Sequence, residues 1–370
     1  MKVKMIAILL LCSIFLTGCF SYIDINRVIF VTALIIDVDE EGAPIFIAEA
    51  FHSFRSNETN TERGNKVFYK SKGETVFDAV RQLNAYSSYK LNYTQNRAII
   101  FTERAARHGL KEFLDFLHRD QELLIRTFIL IYIGNDPEEL METNLKENEY
   151  LGLYLYETQE NPVLAGQRAI ERFNQYLNNR LKGRRVDILT TFTHDKIMGE
   201  DKINIAGAAV MQEDKLVSIL SNDEVRIYHL LMDTLHTGLL IVPHPAYPDK
   251  KVVLEVLKGN TKTSIKMEEN TIILKKSIDI RTTFAETQES IVLDQGTIEK
   301  LQQEADFKIE NEAKELFNLY KEKGIDLFDV QDIFETKYPQ VTIPNVMEVT
   351  DLEIDVNVKI EGSTDILNFR

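Results

Sequence analysis

The sequence predicts a mixed α+β, multi-domain protein, with mixed and antiparallel sheets each covered by helices. Three observations lead there. Short continuous apolar runs, Arg97–Phe101 and Ile125–Ile133, alternate with stretches of helical spacing, the pattern of strands buried under helices. The segment from Leu352 to Ile360 alternates strictly between apolar and polar residues, as a half-buried antiparallel strand does. With 370 residues, 44% of them hydrophobic and 27% charged, the chain has the composition of a globular protein and not of a disordered one.

The first element is an export signal. Lys2 and Lys4 precede Met5–Leu16, an apolar run interrupted only by Ser13. That run is too short to cross a hydrocarbon core, which needs about 20 helical residues. Leu16-Thr17-Gly18-Cys19 follows, the pattern of a lipobox. Small residues before the cut fit a narrow peptidase site, cleavage falls between Gly18 and Cys19, and the Cys19 thiol takes up diacylglycerol as a thioether. Of the two cysteines, Cys12 leaves with the signal, so the mature chain keeps one thiol and no internal disulfide is expected. Two acyl chains anchor stably where one is marginal.

The mature chain is expected to fall into three parts: an N-terminal α/β domain (19–195), a middle hairpin–helix domain (196–258) and a C-terminal α+β domain (259–370). In the first, strands near Val28–Asp37 and Pro44–Phe54 flank a turn at Asp39–Gly42, and the polar stretch Ser56–Asn65 reads as a loop. Val76, Phe77, Val80 and Leu83 set a helix over Glu74–Ser87. Thr102 is placed to cap a helix running through Leu117. Pro137 opens a further helix, and another is expected over Pro162–Leu181, ending in a basic patch, Arg180–Arg185.

In the middle part, Ile203–Leu220 reads as a hairpin, and Ser221 with Glu224 forms a capping box for a helix reaching about His236, with Gly238 as its C-cap. From Val252 to Phe284 the pattern becomes a meander of strands near 252–257, 262–267 and 271–284, divided by Gly259-Asn260 and Glu268–Asn270, which leads from the middle part into the third. Ile298, Leu301, Ala305, Ile309, Ala313, Leu316 and Tyr320 then trace one stripe of a long helix over Gln295–Lys323, with a stop at Gly324. Steps of three and four in ordinary helical proportion indicate core packing, not a sustained heptad. Glu304/Lys308 and Glu310/Lys314 are spaced for ion pairs on its wet face. A second helix spans Leu327–Lys337 before Pro339.

Chemistry is sparse. Asp37-x-Asp39-x-Glu41-Gly42 has the opening of a calcium loop, but the twelfth position is Ala48 instead of an acid, and strands flank it. The seven histidines (52, 108, 118, 194, 229, 236 and 244) form no metal-ligand spacing. No nucleophile elbow, phosphate loop or dinucleotide fingerprint occurs. The formal charge of −15 falls by two more units when Lys2 and Lys4 leave, which argues against a nucleic-acid partner and against broad adhesion to anionic lipid. No catalytic residue, cofactor or metal site is expected, and a binding or assembly subunit is favoured over an enzyme.

Several segments, in order along the whole chain, resemble the C-subunit lipoproteins of spore germinant receptors, the GerAC-type or Ger(x)C family. Cys19-Phe20-Ser21-Tyr22-Ile23-Asp24-Ile25-Asn26 stands where that family has its cysteine followed by Trp-Asp-x-x-Glu-Ile-Asn; here Phe20 replaces the tryptophan and Asp24 the glutamate. Gly73–Asn84 is similar to the family's Gly-x-Thr-x-x-Glu-Ala-x-Arg helix, and Gly109-Leu110 with Phe113–Asp120 to its next helix. Gly207–Val210 with Lys215–Val217 resembles its middle hairpin, and Asp326-x-Phe328 with Lys337-Tyr338-Pro339 its C-terminal turn. The resemblance implies a three-domain, non-enzymatic lipoprotein on the outer face of the inner spore membrane. It would be anchored to the lipid bilayer through Cys19 and needed for germination, beside an A subunit and a multi-pass B subunit that senses nutrients. The alternatives are a solute-binding lipoprotein of a transporter, expected to have two like lobes around a cleft, and an envelope hydrolase.

Overall fold

The computed structural model describes residues 28–55, 62–119, 126–161, 166, 168–169, 171–181, 186–235, 237–269, 271–361 and 368–369. The signal peptide, Gly18 and Cys19, residues 56–61 of the expected Ser56–Asn65 loop, Lys182–Arg185 and His236 lie outside the described residues. The fold class is the mixed α+β one expected, with eight α-helices among the described residues.

The first sheet has nine strands. These are β1 (Val28–Val38), β2 (Pro44–Arg55), β3 (Glu62–Lys72), β4 (Lys90–Asn92), β5 (Ala98–Thr102), β6 (Phe128–Tyr132), β7 (Val186–Ile197), β8 (Glu200–Gln212) and β9 (Lys215–Leu220). The order is β3-β2-β1-β5-β6-β7-β8-β9, with β4 beside the start of β1. The centre, β1-β5-β6-β7, is parallel, and an antiparallel pair of strands extends it on each side. Parallel neighbours need crossovers, and the crossover helices cover both faces. Helices α1 (Val76–Ala85), α2 (Glu103–His108), α3 (Lys111–Arg119) and α5 (Phe173–Leu181) pack with Ile29, Leu34, Ile99 and Ile129 on one face. On the other, α4 (Leu151–Glu160) and a 3₁₀ turn at Pro137–Leu140 pack with Ala33, Ile35, Ile100 and Leu130.

Several boundaries differ from the sequence reading, each for a local reason. The single helix expected from Thr102 to Leu117 is two. Gly109, at φ +129, breaks it, and the Leu110 amide donates at 2.9 Å to the Asp214 carbonyl in the β8–β9 turn. The helix expected over Pro162–Leu181 is described only from Phe173. Before it, Arg172 bridges Phe128, the Phe173 amide donates to the Thr127 carbonyl, and Ile129 donates to the Glu171 carbonyl. Backbone groups engaged with β6 cannot also serve a helix. Part of the expected Ser56–Asn65 loop belongs to β3, and Val186–Ile197, where no element is expected, forms β7.

The second sheet contains β10 (Gly238–Pro243), β11 (Lys251–Glu268), β12 (Thr271–Thr287) and β14 (Thr350–Ile360), in that order. A short pair, β13 (Ile291–Val292) with β15 (Asn368–Phe369), stands apart. The three-strand meander is corrected to two long strands. Gly259-Asn260 lies within the β11–β12 ladder, close to a register shift between Val256 and Lys258. The last strand, expected to be antiparallel, pairs with β12 in parallel. Alternation reports that one face is buried but carries no direction. Direction follows from the crossover through α7 (Gln295–Glu322) and α8 (Val330–Lys337). The α7 stripe packs as expected: Leu301, Ala305, Ile309, Ala313, Leu316 and Tyr320 are buried, and Asp294 caps the helix. Lys314 pairs with Glu310, whereas Lys308 pairs with Glu312 and not Glu304.

Helix α6 (Asn222–Leu231) joins the two sheets. Its capping box is present, Ser221 Oγ accepting from the Glu224 amide and Glu224 from the Ser221 amide at 2.7 Å. The helix ends at Leu231, earlier than expected. Asp233 takes the left-handed φ of +60 and Gly238 starts β10. One apolar core runs from Val186, Ile188, Ala208 and Val210 through α6 to the inner face of the second sheet. The expected division points, 195/196 and 258/259, each fall inside a strand, β7 and β11.

Candidate functional site: an arginine-lined cavity and the junction of the two sheets

Parallel pairing sets Ala98 beside Phe128, which brings the residues just before β5 and β6 together. Asn96, Arg97, Arg126 and Thr127 form one side of a cavity of about 530 Å³, and Tyr156 of α4 with Arg172, Asn174 and Gln175 at the start of α5 form the other. The wall is tied by its backbone. Thr127 Oγ1 donates at 3.1 Å to the Asn96 carbonyl, Phe128 donates to the Arg97 carbonyl at 3.2 Å, and Arg172 Nη1 donates to the Arg126 carbonyl at 3.0 Å. Aromatic rings set the guanidinium planes: Arg97 lies 5.4 Å from the Tyr156 centroid and Arg172 4.3 Å from that of Phe128. Such contacts hold a cation while leaving its N–H groups available. Arg172 is paired with Glu160. Among the described residues Arg97 and Arg126 face no carboxylate within salt-bridge distance, and both amide atoms of fully buried Asn96 lack a partner.

The second constellation is structural. Lys276 sits in the inward phase of β12, two residues from Leu274 and from Ile278, and is 2% exposed. Its ammonium donates to the Leu231 carbonyl at 2.8 Å and to Thr263 Oγ1 at 2.9 Å. Thr261 donates its hydroxyl to the Leu230 carbonyl at 2.6 Å and its amide to Asp233 Oδ1 at 2.6 Å. The second sheet thereby satisfies carbonyls at the C-terminus of α6, where a cation also complements the helix dipole. Burial lowers the Lys276 pKa to about 8, with Asp329 and Asp233 opposing the shift.

The remaining polar positions are accounted for by packing and turns. Asp39 accepts from the amides of Glu41 and Ala43 at 2.9 and 2.8 Å, a hairpin turn, while Asp37 is buried against Thr102 and Arg104. His229 contacts the Arg168 carbonyl and Thr234, His194 contacts Asp201 at 2.9 Å, and His244 accepts from the amides of Ala246 and Tyr247. Arg180 of the basic patch reaches Asp214 at 2.7 Å. Among the described residues no group of three His, Cys, Asp or Glu could hold a metal ion, and no helix is long and apolar enough to cross a membrane. Sequence reasoning passed over both constellations. The cavity draws on positions from 96 to 175 that only the topology unites; the lysine was detectable as a cation in an apolar phase.

The comparisons with known proteins agree along the chain. The model for the spore germination protein N-terminal domain matches residues 21–191, and that for the spore germination B3/GerAC-like C-terminal domain matches residues 206–364. Spore germination protein GerQC of Bacillus cereus is 22% identical over 331 residues, covering 88% of this chain and 89% of that one. The putative spore germination protein YfkR of Bacillus subtilis is 22% identical over 250 residues, covering 65% and 64%. The crystal structure of the GerBC protein has the same fold, with a TM-score of 0.58, 16% identity, and coverage of 89% of this chain and 97% of that one. Two unlike sheets joined through one helix, with both family models matching in order, define a spore germination protein. The chain belongs to the Ger(x)C family of germinant receptor C subunits.

Proposed function

We propose that the chain is the lipid-anchored, non-catalytic C subunit of a nutrient germinant receptor, acting with membrane-embedded A and B subunits. The observation that carries this is the ordered match of both family models across most of the chain. The lipobox Leu16–Cys19 supports the anchor. Diacylglycerol on Cys19 would hold the protein on the outer face of the cytoplasmic membrane, the inner membrane of the spore. Val28 opens β1 in the nine-stranded sheet. The segment from Cys19 to Val28 spans at most about 30 Å when fully extended, so the folded body would sit close to the bilayer and to membrane-embedded partners. The three-part division of the mature chain belongs to the same proposal, as parts that share β7, β11 and one core and not as separately folding units. The transporter reading expects two like lobes about a cleft; here the two sheets differ and share a continuous core through α6.

The test is a Cys19→Ala variant in a spore-forming host, followed by membrane fractionation of spores and by nutrient-triggered germination. The proposal expects loss from the membrane and failure to germinate with one nutrient. Normal placement would refute the anchor. Loss of placement with germination intact for every nutrient would refute the receptor role.

A further inference from the structure

We propose that the cavity at the N-terminal ends of β5 and β6 is a binding site for a small organic carboxylate that also carries a hydroxyl or amino group. The charge argument comes first. On a chain of formal charge −15, three arginines converge on one cavity, and among the described residues only Arg172 is neutralised, by Glu160. Arg97 is held against the Tyr156 ring and Arg126 is exposed, so both retain N–H donors in the planar fork that suits a carboxylate. Like charges gathered without a counter-charge repel one another, and a bound anion removes that repulsion.

The second observation is independent of charge. Asn96 is 0% exposed, and neither Oδ1 nor Nδ2 has a hydrogen-bond partner; Asn174 Oδ1, in the opposite wall, is also buried and unpartnered. Because both amide atoms of Asn96 are unsatisfied, exchanging its oxygen and nitrogen leaves the deficit unchanged. A buried polar atom without a partner destabilises the fold, and a ligand that supplies the partner removes that cost. Two of the three unmet atoms are acceptors, so the ligand must bring a donor as well as a negative charge. Carboxylate and donor on one small molecule satisfy both sets, and a volume of about 530 Å³ accommodates it. The Tyr156 ring supplies an apolar wall for its carbon skeleton. Inorganic phosphate matches the arginines but leaves that wall unused. The site lies wholly in the nine-stranded half and stands whether or not the receptor role proposed above does.

The test is isothermal titration calorimetry on the full chain, purified in detergent at low ionic strength, with L-lactate, glycine, propionate and inorganic phosphate as probes. Saturable binding of lactate or glycine is expected, at least tenfold tighter than propionate, which lacks the donor. Arg126→Gln, at an exposed position, should weaken that binding at least tenfold while leaving the thermal midpoint unchanged; Arg97→Gln should do the same. Absence of saturable binding by lactate and glycine at millimolar concentration would overturn the proposal, as would binding that Arg126→Gln and Arg97→Gln leave untouched. Phosphate binding tighter than either organic probe would overturn the ligand class.

Discussion

In the nine-stranded sheet, β5 and β6 are buried at every position, whereas β12 of the four-stranded sheet alternates buried with open positions along most of its length. The first pair lies under helices on both faces; β12 has α6 and α7 on one face, and the other carries Lys275, Asp279 and Arg281. The contrast shows how covering a second face alters what a strand can be made of. A strand between two helical layers has no wet side, so every residue must be apolar or fully paired. A strand with one layer tolerates charge at every second residue and places few demands on it.

The sharpest consequence is at Glu49, a carboxylate with no exposed surface in β2. It accepts from the amides of Leu151 and Gly152 at 2.8 and 3.0 Å and from Thr32 Oγ1 at 2.7 Å, fastening the start of α4 to the sheet. The approach is so close that a Cβ on Gly152 would lie 2.1 Å from the Thr32 carbonyl oxygen. Glu49→Ala leaves these donors unpaired and should lower stability by about 3–5 kcal/mol in guanidinium denaturation. A loss below about 1 kcal/mol would mean that water reaches this layer.

Neighbouring positions sharpen the comparison. Ile99 and Ile100 point to opposite faces of β5 and both are fully buried, so each change to Ala should cost about 2–5 kcal/mol. On β11 the same test should split. Ile265→Ala should cost about 2–5 kcal/mol, while Lys266→Ala, on the open face, should stay within about 0.5 kcal/mol. Equal losses at Ile265 and Lys266 would show that the open face is covered.

Lys276 breaks the rule of its own sheet, a cation in the covered phase. Its pKa is about 8 in the fold, against about 10.4 in an unfolded chain. Between those values the unfolded chain keeps a proton that the folded chain has released, so stability rises with pH from about 8 to 10. The full difference is on the order of 3 kcal/mol. Lys276→Met should lack that rise. Taking the difference between the two proteins cancels tyrosines that ionise near pH 10 only when unfolded. Parallel stability curves for the two proteins across this window would contradict the burial argument.

How much was legible follows the same divide. The runs at Ala98–Phe101 and Phe128–Tyr132 announce strands because both faces are dry. The Ser221–Glu224 box and the α7 stripe are local patterns, readable from residues three or four apart. Direction was not readable. The alternation of β14 is the same for parallel and antiparallel neighbours, and the α7–α8 crossover decides it. Nor was the cavity, since Asn96, Arg126 and Arg172 are distant in sequence and meet only because β5 and β6 run parallel. Lys276 lay within reach of the pattern, as a cation two residues from apolar neighbours on each side.

The central claim is tested most directly by purifying the tagged full chain from detergent-solubilised spore membranes and identifying what accompanies it by mass spectrometry. The account predicts recovery with diacylglycerol on Cys19 and with A- and B-type membrane subunits in fixed proportion. Recovery of the lipidated chain without either subunit, under detergent conditions that keep those two subunits together, would contradict it.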